Sequence, residues 1–435
     1  MTMFIPQRVL VAPSGFKESL SAVEAAEAIA GGIRRELPGV RVDIYPVPDG
    51  GEGTVDIIAA RTGAARRTTR VTGPVGKPVF AEWAIVDDGS GGRTAVLEMA
   101  SAGGLRLVPD DLRDPGATTT RGVGELIAAA LDEGVDRIVL GCGDSGTCDG
   151  GAGALSALGA RILDRDGREL PDGGGHLIDA VSIDASGLHP ALSSTPITLA
   201  CNMHNVLTGP RGVARVFGPQ KGATPERVEE LDAAMTTWAR LLEGAFAPPV
   251  DVARGPGSGA SGGLGAGLAA VGAVPRSRFD VLLDDSGAGG PGGIGGNGGG
   301  GGNGGIGGTG GPGGLGAGDI DALIDAADLV ITAEGAIDFQ TPNGKVPAEI
   351  ARRAQRGGAP VLALAGSLGR GAPQVHDCGI GAIASIMTVP MALEDAVRDG
   401  RALLADAAAR SIRLLLLGAA VASRSEERFR EGLAS

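Results

Sequence analysis

The sequence predicts an α/β protein with two α/β domains and largely parallel sheets. Short apolar runs alternate with longer segments of helical pattern along the whole chain, which is typical of parallel α/β units. Nearly every apolar run ends in a loop containing Gly, Ser, Asp or Asn, as expected where ligands bind at the carboxyl ends of parallel strands. A chain of 435 residues with 43% hydrophobic content can bury two cores of ordinary size.

Eight apolar runs are the predicted strands, and they span residues 9–12, 42–47, 94–99, 137–141, 196–200, 328–332, 360–365 and 382–389. Two helix starts are marked by N-cap residues. Ser21 with Glu24 forms a capping box, and Thr224 precedes a proline at the first helical position. An Ala-, Leu- and Arg-rich stretch from residue 393 to about 424 predicts one or two closing helices.

Composition and charge exclude several classes of partner. The net charge of −13 argues against nucleic acid and against an anionic membrane surface, since both require a dense basic face. No apolar run is long enough to span a bilayer and no export signal opens the chain, so a cytoplasmic location is expected. The four cysteines have no zinc-site spacing. These features predict an enzyme that acts on small molecules.

Residues Ser286 to Gly318 form a tract that is about two thirds glycine and lacks the strict period of collagen. Because such a tract has few side chains to bury, it cannot offset its chain entropy. We therefore expect a disordered insertion that leaves the fold unaffected, and a functional lid or binding surface is the alternative.

The segment from Arg137 to Gly159 is the most informative stretch of the chain. A predicted strand enters a Gly-, Ser-, Thr- and Asp-rich loop, and an Ala/Leu helix follows. Backbone N–H groups and the hydroxyls of Ser145 and Thr147 could bind a phosphate there. Asp144 and Asp149 would repel a bare phosphate, so their presence suggests Mg²⁺ between carboxylate and phosphate, or an acceptor hydroxyl that loses its proton to one of them. Phosphoryl transfer is the first hypothesis.

Two alternatives remain for this loop, and one for the chain as a whole. Its glycines Gly141, Gly143 and Gly146 spell G-x-G-x-x-G, and Asp164 lies about 20 residues downstream, as in a dinucleotide-dependent oxidoreductase. Asp149 argues against that alternative, because it places a carboxylate where a pyrophosphate would lie. The loop could also be a turn without a ligand, and the chain could be a glycine-rich structural protein.

Further loops at strand ends combine glycine with charged or amide side chains. Any one of these loops is weak evidence, because a lysine in a turn or an acid near a strand end is often structural. Their recurrence predicts a site that holds polyphosphate, metal and a small polar acid. The side chains concerned are Lys17, Asp49, Glu52, Asn205, Gln220, Lys221, Glu334, Asp338 and Lys345.

Taken together, the loops resemble those of the bacterial type I glycerate kinase family. The resemblance covers nearly the whole chain except the Gly-rich tract and the extreme C-terminus. It implies phosphorylation of D-glycerate with ATP and Mg²⁺, and two α/β domains with the active site between them. The motifs are FKESLSA, DGGEGT, DGGAGALSALGA, NVLTGPRGVARVFGPQKGATP, PGSGASGGLGAG and DLVITAEGAIDFQTPNGKVP.

On this basis we expect transfer to the 2-hydroxyl, giving 2-phosphoglycerate. The expected catalytic residues are Lys17, Asp149, Lys221 and Asp338. The expected substrate- and nucleotide-binding residues are Asp49, Glu52, Ser145, Thr147, Asn205, Gln220, Glu334 and Lys345, with Asp49 and Glu52 also as Mg²⁺ ligands. The expected domains are a discontinuous Rossmann-like domain of residues 1–72 and 319–435, a second α/β domain of residues 73–285, and the insertion at 286–318.

Four positions depart from the usual residues of that family: Ser14 replaces an acid, Asp144 a glycine, Cys148 an asparagine and Ala336 an arginine. Two of these changes remove a charge from presumed ligand loops. A kinase of a related small hydroxy acid is therefore an alternative. The sequence makes no prediction of oligomeric state.

Overall fold

The structure is a computed structural model that describes residues 5–16, 19–87, 91–283 and 319–434, with side chains described as far as residue 425. The predicted insertion at residues 286–318 lies outside these ranges, and so does Lys17. Within them the chain forms two compact units, which are described separately. We call residues 5–47 with 319–434 the terminal unit, and residues 48–283 the central unit.

Thirteen strands occur in the described residues: β1 (Arg8–Val11), β2 (Arg41–Ile44), β3 (Ala65–Thr72), β4 (Pro78–Asp87), β5 (Arg93–Glu98), β6 (Arg137–Gly141), β7 (Arg161–Leu163), β8 (Ser182–Asp184), β9 (Ile197–Cys201), β10 (Val274–Ser277), β11 (Leu329–Ile337), β12 (Val361–Leu368) and β13 (Ala382–Ser385).

The α-helices of the same ranges are α1 (Ala22–Glu36), α2 (Thr54–Thr62), α3 (Ala100–Gly103), α4 (Arg121–Asp132), α5 (Ala152–Ala157), α6 (Val213–Phe217), α7 (Pro225–Phe246), α8 (Ala260–Ala270), α9 (Arg278–Leu282), α10 (Ile320–Asp325), α11 (Val346–Gly357), α12 (Leu393–Arg398) and α13 (Gly400–Ala434). None of them is long and apolar enough to cross a membrane over the part searched.

The terminal unit contains a five-stranded sheet in the order β13-β12-β11-β1-β2, and every neighbouring pair is parallel. Its core lies between this sheet and helices α1 and α13, with Ile29 and Ile412 among its fully buried side chains. The parallel arrangement brings the carboxyl ends of all five strands to one edge.

The central unit contains a six-stranded sheet in the order β10-β9-β6-β5-β4-β3. Strands β10, β9, β6 and β5 are parallel, whereas β4 and β3 are antiparallel additions at one side. Strands β7 and β8 form a separate two-stranded antiparallel sheet. The main core is packed from apolar side chains of the six-stranded sheet and of α4 and α8.

The predicted α/β class with largely parallel sheets is confirmed, and each of the eight predicted strands is present. Both predicted helix caps are also confirmed: the Ser21 side chain accepts from the Glu24 N–H, and the Thr224 side chain accepts from the Arg227 N–H. The closing stretch forms α12 and α13. Sequence patterns missed β3, β4, β7, β8 and β10; of these, β3 reads ARRTTRVT, too polar to resemble a strand with a buried face.

The domain boundary predicted at residue 72 is wrong. Strand β3 pairs along its full length with β4, so it belongs to the sheet of the central unit. Helix α2 buries Val55 and Ile58 in a cluster with Val96 and Val139 of that same sheet. Residues 48–72 therefore belong with the central unit, and the units divide after Val47.

Candidate functional site

The carboxyl ends of β5, β6, β9 and β10 meet at one edge of the central unit, because these four strands are parallel. The residues at or after these ends are polar: Glu98 on β5, the loop 142–149 after β6, the loop 202–206 after β9, and Arg278 after β10. This edge is the candidate site of the central unit.

The segment 49–53 lies across the ends of β6 and β9, and glycine makes this possible. A Cβ atom on Gly141 would lie 2.7 Å from the Gly50 carbonyl oxygen, and one on Gly50 would lie 3.0 Å from the Ala200 oxygen. Gly50 also has a φ of 81°, a left-handed conformation that side chains disfavour. The segment carrying Asp49 and Glu52 therefore rests directly on the strand ends.

Glu98 holds the far end of this segment, at the start of α2. Its carboxylate accepts hydrogen bonds from the Gly53 N–H (3.3 Å) and the Val55 N–H (3.0 Å), two otherwise unsatisfied donors of a helix N-terminus. Burial raises the pKa of the Glu98 carboxyl to about 7, despite these two bonds. Glu98 was not among the predicted site residues, although an acid that closes an apolar predicted strand was a usable signal.

Two arginines were also missed, and both neutralise acids of the 49–53 segment. Arg278 donates from Nη1 to the Asp49 carbonyl oxygen (3.0 Å) and lies 4.0 Å from Asp49 Oδ2. Arg106 Nη2 lies 2.7 Å from Glu52 Oε1. No local sequence signal joins these arginines to the acids, because they lie more than fifty residues away along the chain.

Lys221 is almost fully buried, with 3% of its surface exposed. Its ammonium group donates to Ser145 Oγ and to the Thr147 carbonyl oxygen, both at 2.8 Å. The structure thus brings Lys221 into contact with Ser145 and Thr147 of the loop after β6, and all three are predicted site residues. The geometry makes Lys221 a support for this loop, and the half-buried Ser145 hydroxyl is the group that it orients.

Asp149 does not fit the role of metal ligand or acceptor base that its sequence context suggested. The side chain is completely buried, and Oδ2 accepts from Thr120 N (2.7 Å), Thr120 Oγ1 (2.8 Å) and Gly153 N (3.2 Å). Its Oδ1 accepts from Gly151 N at 3.1 Å. Burial raises the pKa of the Asp149 carboxyl, while these donors stabilise its charged form. Asp149 therefore ties α4 to α5.

Thr147 is likewise buried, and its hydroxyl does not reach the surface of the loop. In the described part of the chain its Oγ1 atom has no hydrogen-bond partner. The half-buried Asn205 joins the loop after β9 to the turn before α8, since its backbone carbonyl oxygen accepts a hydrogen bond from Gly259 N at 3.1 Å. Gln220 is exposed.

A second polar cluster lies at the carboxyl end of β11 in the terminal unit. Lys345 Nζ donates to the Ala336 carbonyl oxygen (3.0 Å) and lies 3.3 Å from Asp338 Oδ1 and 3.6 Å from Glu334 Oε2. Thr341 Oγ1 donates to Glu334 Oε1 at 2.6 Å. Burial raises the pKa of the Glu334 carboxyl to about 7, against the opposing effect of Lys345. Lys345 thus contacts both of the other predicted residues of this cluster, Glu334 and Asp338.

Magnesium was expected at Asp49 and Glu52. Among the described residues, no group of three or more His, Cys, Asp or Glu is arranged to hold a metal ion. The two acids nonetheless fit the way Mg²⁺ binds in nucleotide enzymes, through one or two carboxylates with the remaining ligands from water and phosphate. Asp49 is the better placed of the two, because its carboxylate lies 4.0 Å from Arg278, whereas the Glu52 carboxylate lies 2.7 Å from Arg106.

The dinucleotide alternative requires Asp164 to end a strand next to β6 in the same parallel sheet. Asp164 instead follows β7, which pairs with β8 and lies outside the six-stranded sheet. Its carboxylate accepts from the backbone N–H groups of Asp166 and Arg168 within a turn. This geometry does not form a ribose site.

Comparisons with known proteins identify the family that this chain resembles. The profile of the glycerate kinase family matches residues 9–290 and 286–416. The chain is 42% identical over 390 residues to glycerate kinase of Bacillus subtilis, covering 89% of this chain and 92% of that one. It is 41% identical over 392 residues to glycerate 2-kinase of Escherichia coli, covering 90% and 93%.

A solved structure is also similar over nearly the full length. It is the crystal structure of a Salmonella typhimurium LT2 protein assigned as glycerate kinase 2, with 40% sequence identity and a TM-score of 0.68. The similarity covers 95% of this chain and 99% of that one.

Proposed function

Because the chain belongs to the glycerate kinase family and is therefore an enzyme that phosphorylates glycerate, we propose that it transfers the γ-phosphoryl group of ATP to the 2-hydroxyl of D-glycerate. The name of the Escherichia coli relative, glycerate 2-kinase, supports the position of transfer. A kinase of a related small hydroxy acid is the alternative.

One observation supports the proposal most strongly. An acid-bearing segment, 49–53, lies backbone to backbone on the glycine loop after β6, and buried Lys221 holds that loop from beneath. Phosphoryl transfer depends mainly on positioning and on neutralisation of charge, so a site of preformed loops and paired charges suits it.

We assign roles within this proposal by burial and contacts. Asp49 and Glu52 would hold Mg²⁺, which neutralises the phosphates when the nucleotide is bound. Lys221 orients the Ser145 hydroxyl toward an anion, and Arg278 limits the negative charge that Asp49 adds to the site. The contact of Asp149 with Thr120 and the glycine N–H groups assigns it to stability rather than catalysis.

The cluster in the terminal unit consists of a cation and two acids. Lys345 is held between Glu334 and Asp338, so its ammonium group is fixed in place for binding a phosphate or a carboxylate. We propose the same class of role for Lys17, which lies outside the described residues.

A panel of acceptors tests the proposal. ADP release with ATP and Mg²⁺ is measured with D-glycerate, L-glycerate, lactate and 3-hydroxypropionate, of which lactate has only the 2-hydroxyl and 3-hydroxypropionate only the 3-hydroxyl. We expect D-glycerate to be the best acceptor and lactate to be turned over faster than 3-hydroxypropionate. Poor turnover of D-glycerate together with rapid turnover of another acid would contradict the assignment of D-glycerate as the substrate and favour that other acid.

A further inference from the structure

Asp144 has two unusual features in the candidate site of the central unit. Its φ is 51°, in the left-handed region that residues other than glycine adopt at a cost of about 1 kcal/mol. Its Oδ2 atom also accepts a hydrogen bond of 3.1 Å from the Glu52 backbone N–H, across 92 residues of sequence. The strained backbone and the long-range bond occur at the same residue.

The backbone of Asp144 is anchored on its other side. Its carbonyl oxygen accepts from the Leu105 N–H at 2.9 Å, and the next residue forms an isolated β-bridge with Gly104. The Gly146 N–H donates to the Gly103 oxygen at 2.9 Å. The carboxylate of Asp144 therefore extends from a fixed backbone to the 49–53 segment.

The packing leaves little room for another arrangement. A Cβ atom on Gly51 would lie 2.2 Å from Asp144 Oδ2, and one on Gly143 would lie 2.6 Å from the Gly51 Cα. The carboxylate thus contacts both Gly51 and Glu52, which lie between Asp49 and the start of α2. Such a contact fixes the backbone that presents the two acids.

We propose that Asp144 is a positioning residue that fixes the 49–53 segment by accepting a hydrogen bond from the Glu52 N–H. In this role the side chain supplies a hydrogen-bond acceptor, and its negative charge is not required. The effect on catalysis rests on the proposed function, in which Asp49 and Glu52 belong to the active site. The effect on the segment itself does not.

Two substitutions separate position from charge. Asp144→Asn keeps an acceptor oxygen and tolerates the left-handed backbone, whereas Asp144→Gly relieves the backbone but removes the acceptor. Ala247→Gly is the matched control: it removes a side chain at a φ of 43° on the exposed C-cap of α7. It therefore reports backbone relief alone.

Amide hydrogen exchange of the Glu52 N–H tests the proposal without any assay of activity. We expect exchange in Asp144→Gly to be about tenfold faster than in the unsubstituted protein, and exchange in Asp144→Asn and Ala247→Gly to change by less than about threefold. Unchanged exchange in Asp144→Gly would overturn the proposal.

Kinetics provide the second measurement. We expect Asp144→Gly to lose about tenfold in kcat/KM for glycerate with no fall in melting temperature, and Asp144→Asn to stay within about threefold of the unsubstituted enzyme. Equal losses in both variants would show that the charge itself is required, which contradicts the proposal. If the unsubstituted protein did not phosphorylate glycerate, the proposed function would fail while the exchange measurement still decided the role of Asp144.

Discussion

At the scale of single residues, burial separates side chains that support the site from those that can contact ligands. Asp149 and Lys221 are both charged, both predicted from sequence, and both buried. Asp149 satisfies donors from α4 and α5, whereas Lys221 donates to the loop that carries Ser145. Sequence can identify such residues as charged groups in glycine loops, but only the contacts distinguish their roles.

Asp149→Asn should lower the stability of the protein. The amide that replaces the carboxylate must place its NH₂ group against a hydrogen-bond donor, and a charge-assisted acceptor is lost. We expect the free energy of unfolding to fall by about 2 kcal/mol. Thermal unfolding measures the change, with Asp179→Asn as an exposed control in the same unit. An unchanged melting temperature together with a large loss of kcat would restore the catalytic role for Asp149.

Lys221→Met should reduce activity by about a hundredfold in kcat/KM, because the Ser145 hydroxyl and the Thr147 carbonyl lose their donor while the volume of the side chain is kept. Steady-state kinetics with glycerate check this expectation. Lys77→Met, at an exposed lysine in the β3–β4 turn, is the control and should leave activity unchanged. A normal kcat/KM in Lys221→Met would show that the support of this loop by Lys221 is not needed for activity.

At the scale of elements, the site depends on backbone contacts between segments distant in sequence. Glycines at 50, 51, 141 and 143 allow the 49–53 segment to lie on the strand ends. The sequence predicted that these loops would converge, because parallel strands bring their carboxyl ends to one edge. It could not predict which backbone segments touch, because that depends on the order of the strands in the sheet. Gly141 of β6, for example, is paired with Ala200 of β9.

Gly143→Ala should disturb this contact, because its Cβ atom would lie 2.6 Å from the Gly51 Cα and the backbone would have to move. We expect a loss of at least about tenfold in kcat/KM. Gly31→Ala in α1 is the control, since a Cβ atom there meets nothing within 4 Å and should stabilise the helix by about 0.5–1 kcal/mol. Full activity in Gly143→Ala would indicate that the two segments are not in close contact.

The N-terminus of α2 makes stability depend on pH through Glu98. The carboxyl has a pKa of about 7 in the folded protein and an ordinary value of 4.5. The folded state therefore binds the additional proton, so this contribution to stability is complete below about pH 4.5 and is lost as the pH rises through about 7.

Melting temperatures measured between about pH 5 and pH 8 test this dependence. The fall with rising pH should be smaller in Glu98→Gln than in the unsubstituted protein, while Glu82→Gln at an exposed carboxyl should retain it. Glu334 adds a second contribution of the same sign, so Glu98→Gln should reduce the fall without abolishing it. An identical pH dependence in Glu98→Gln would contradict the assignment.

At the scale of the whole molecule, apolar patterning was sufficient for the α/β class and for all eight predicted strands. The missed strands β3 and β4 explain the wrong domain boundary, because their pairing joins residues 48–72 to the central unit and the polar sequence of β3 gave no sign of a strand. Arg106 and Arg278 were missed because their partners lie far along the chain, whereas Glu98 closes an apolar predicted strand and could have been identified. Long-range pairs of this kind depend on the tertiary fold and have no local pattern.

We propose above that this member of the glycerate kinase family transfers phosphate to the 2-hydroxyl. Proton-coupled phosphorus NMR of the product from D-glycerate, ATP and Mg²⁺ tests it directly, because phosphorus at the 2-position couples to one adjacent carbon-bound proton and phosphorus at the 3-position to two. We expect a doublet that appears as ADP forms and is much weaker with Lys221→Met. A triplet would contradict it, because the phosphoryl group would then have been transferred to the 3-hydroxyl.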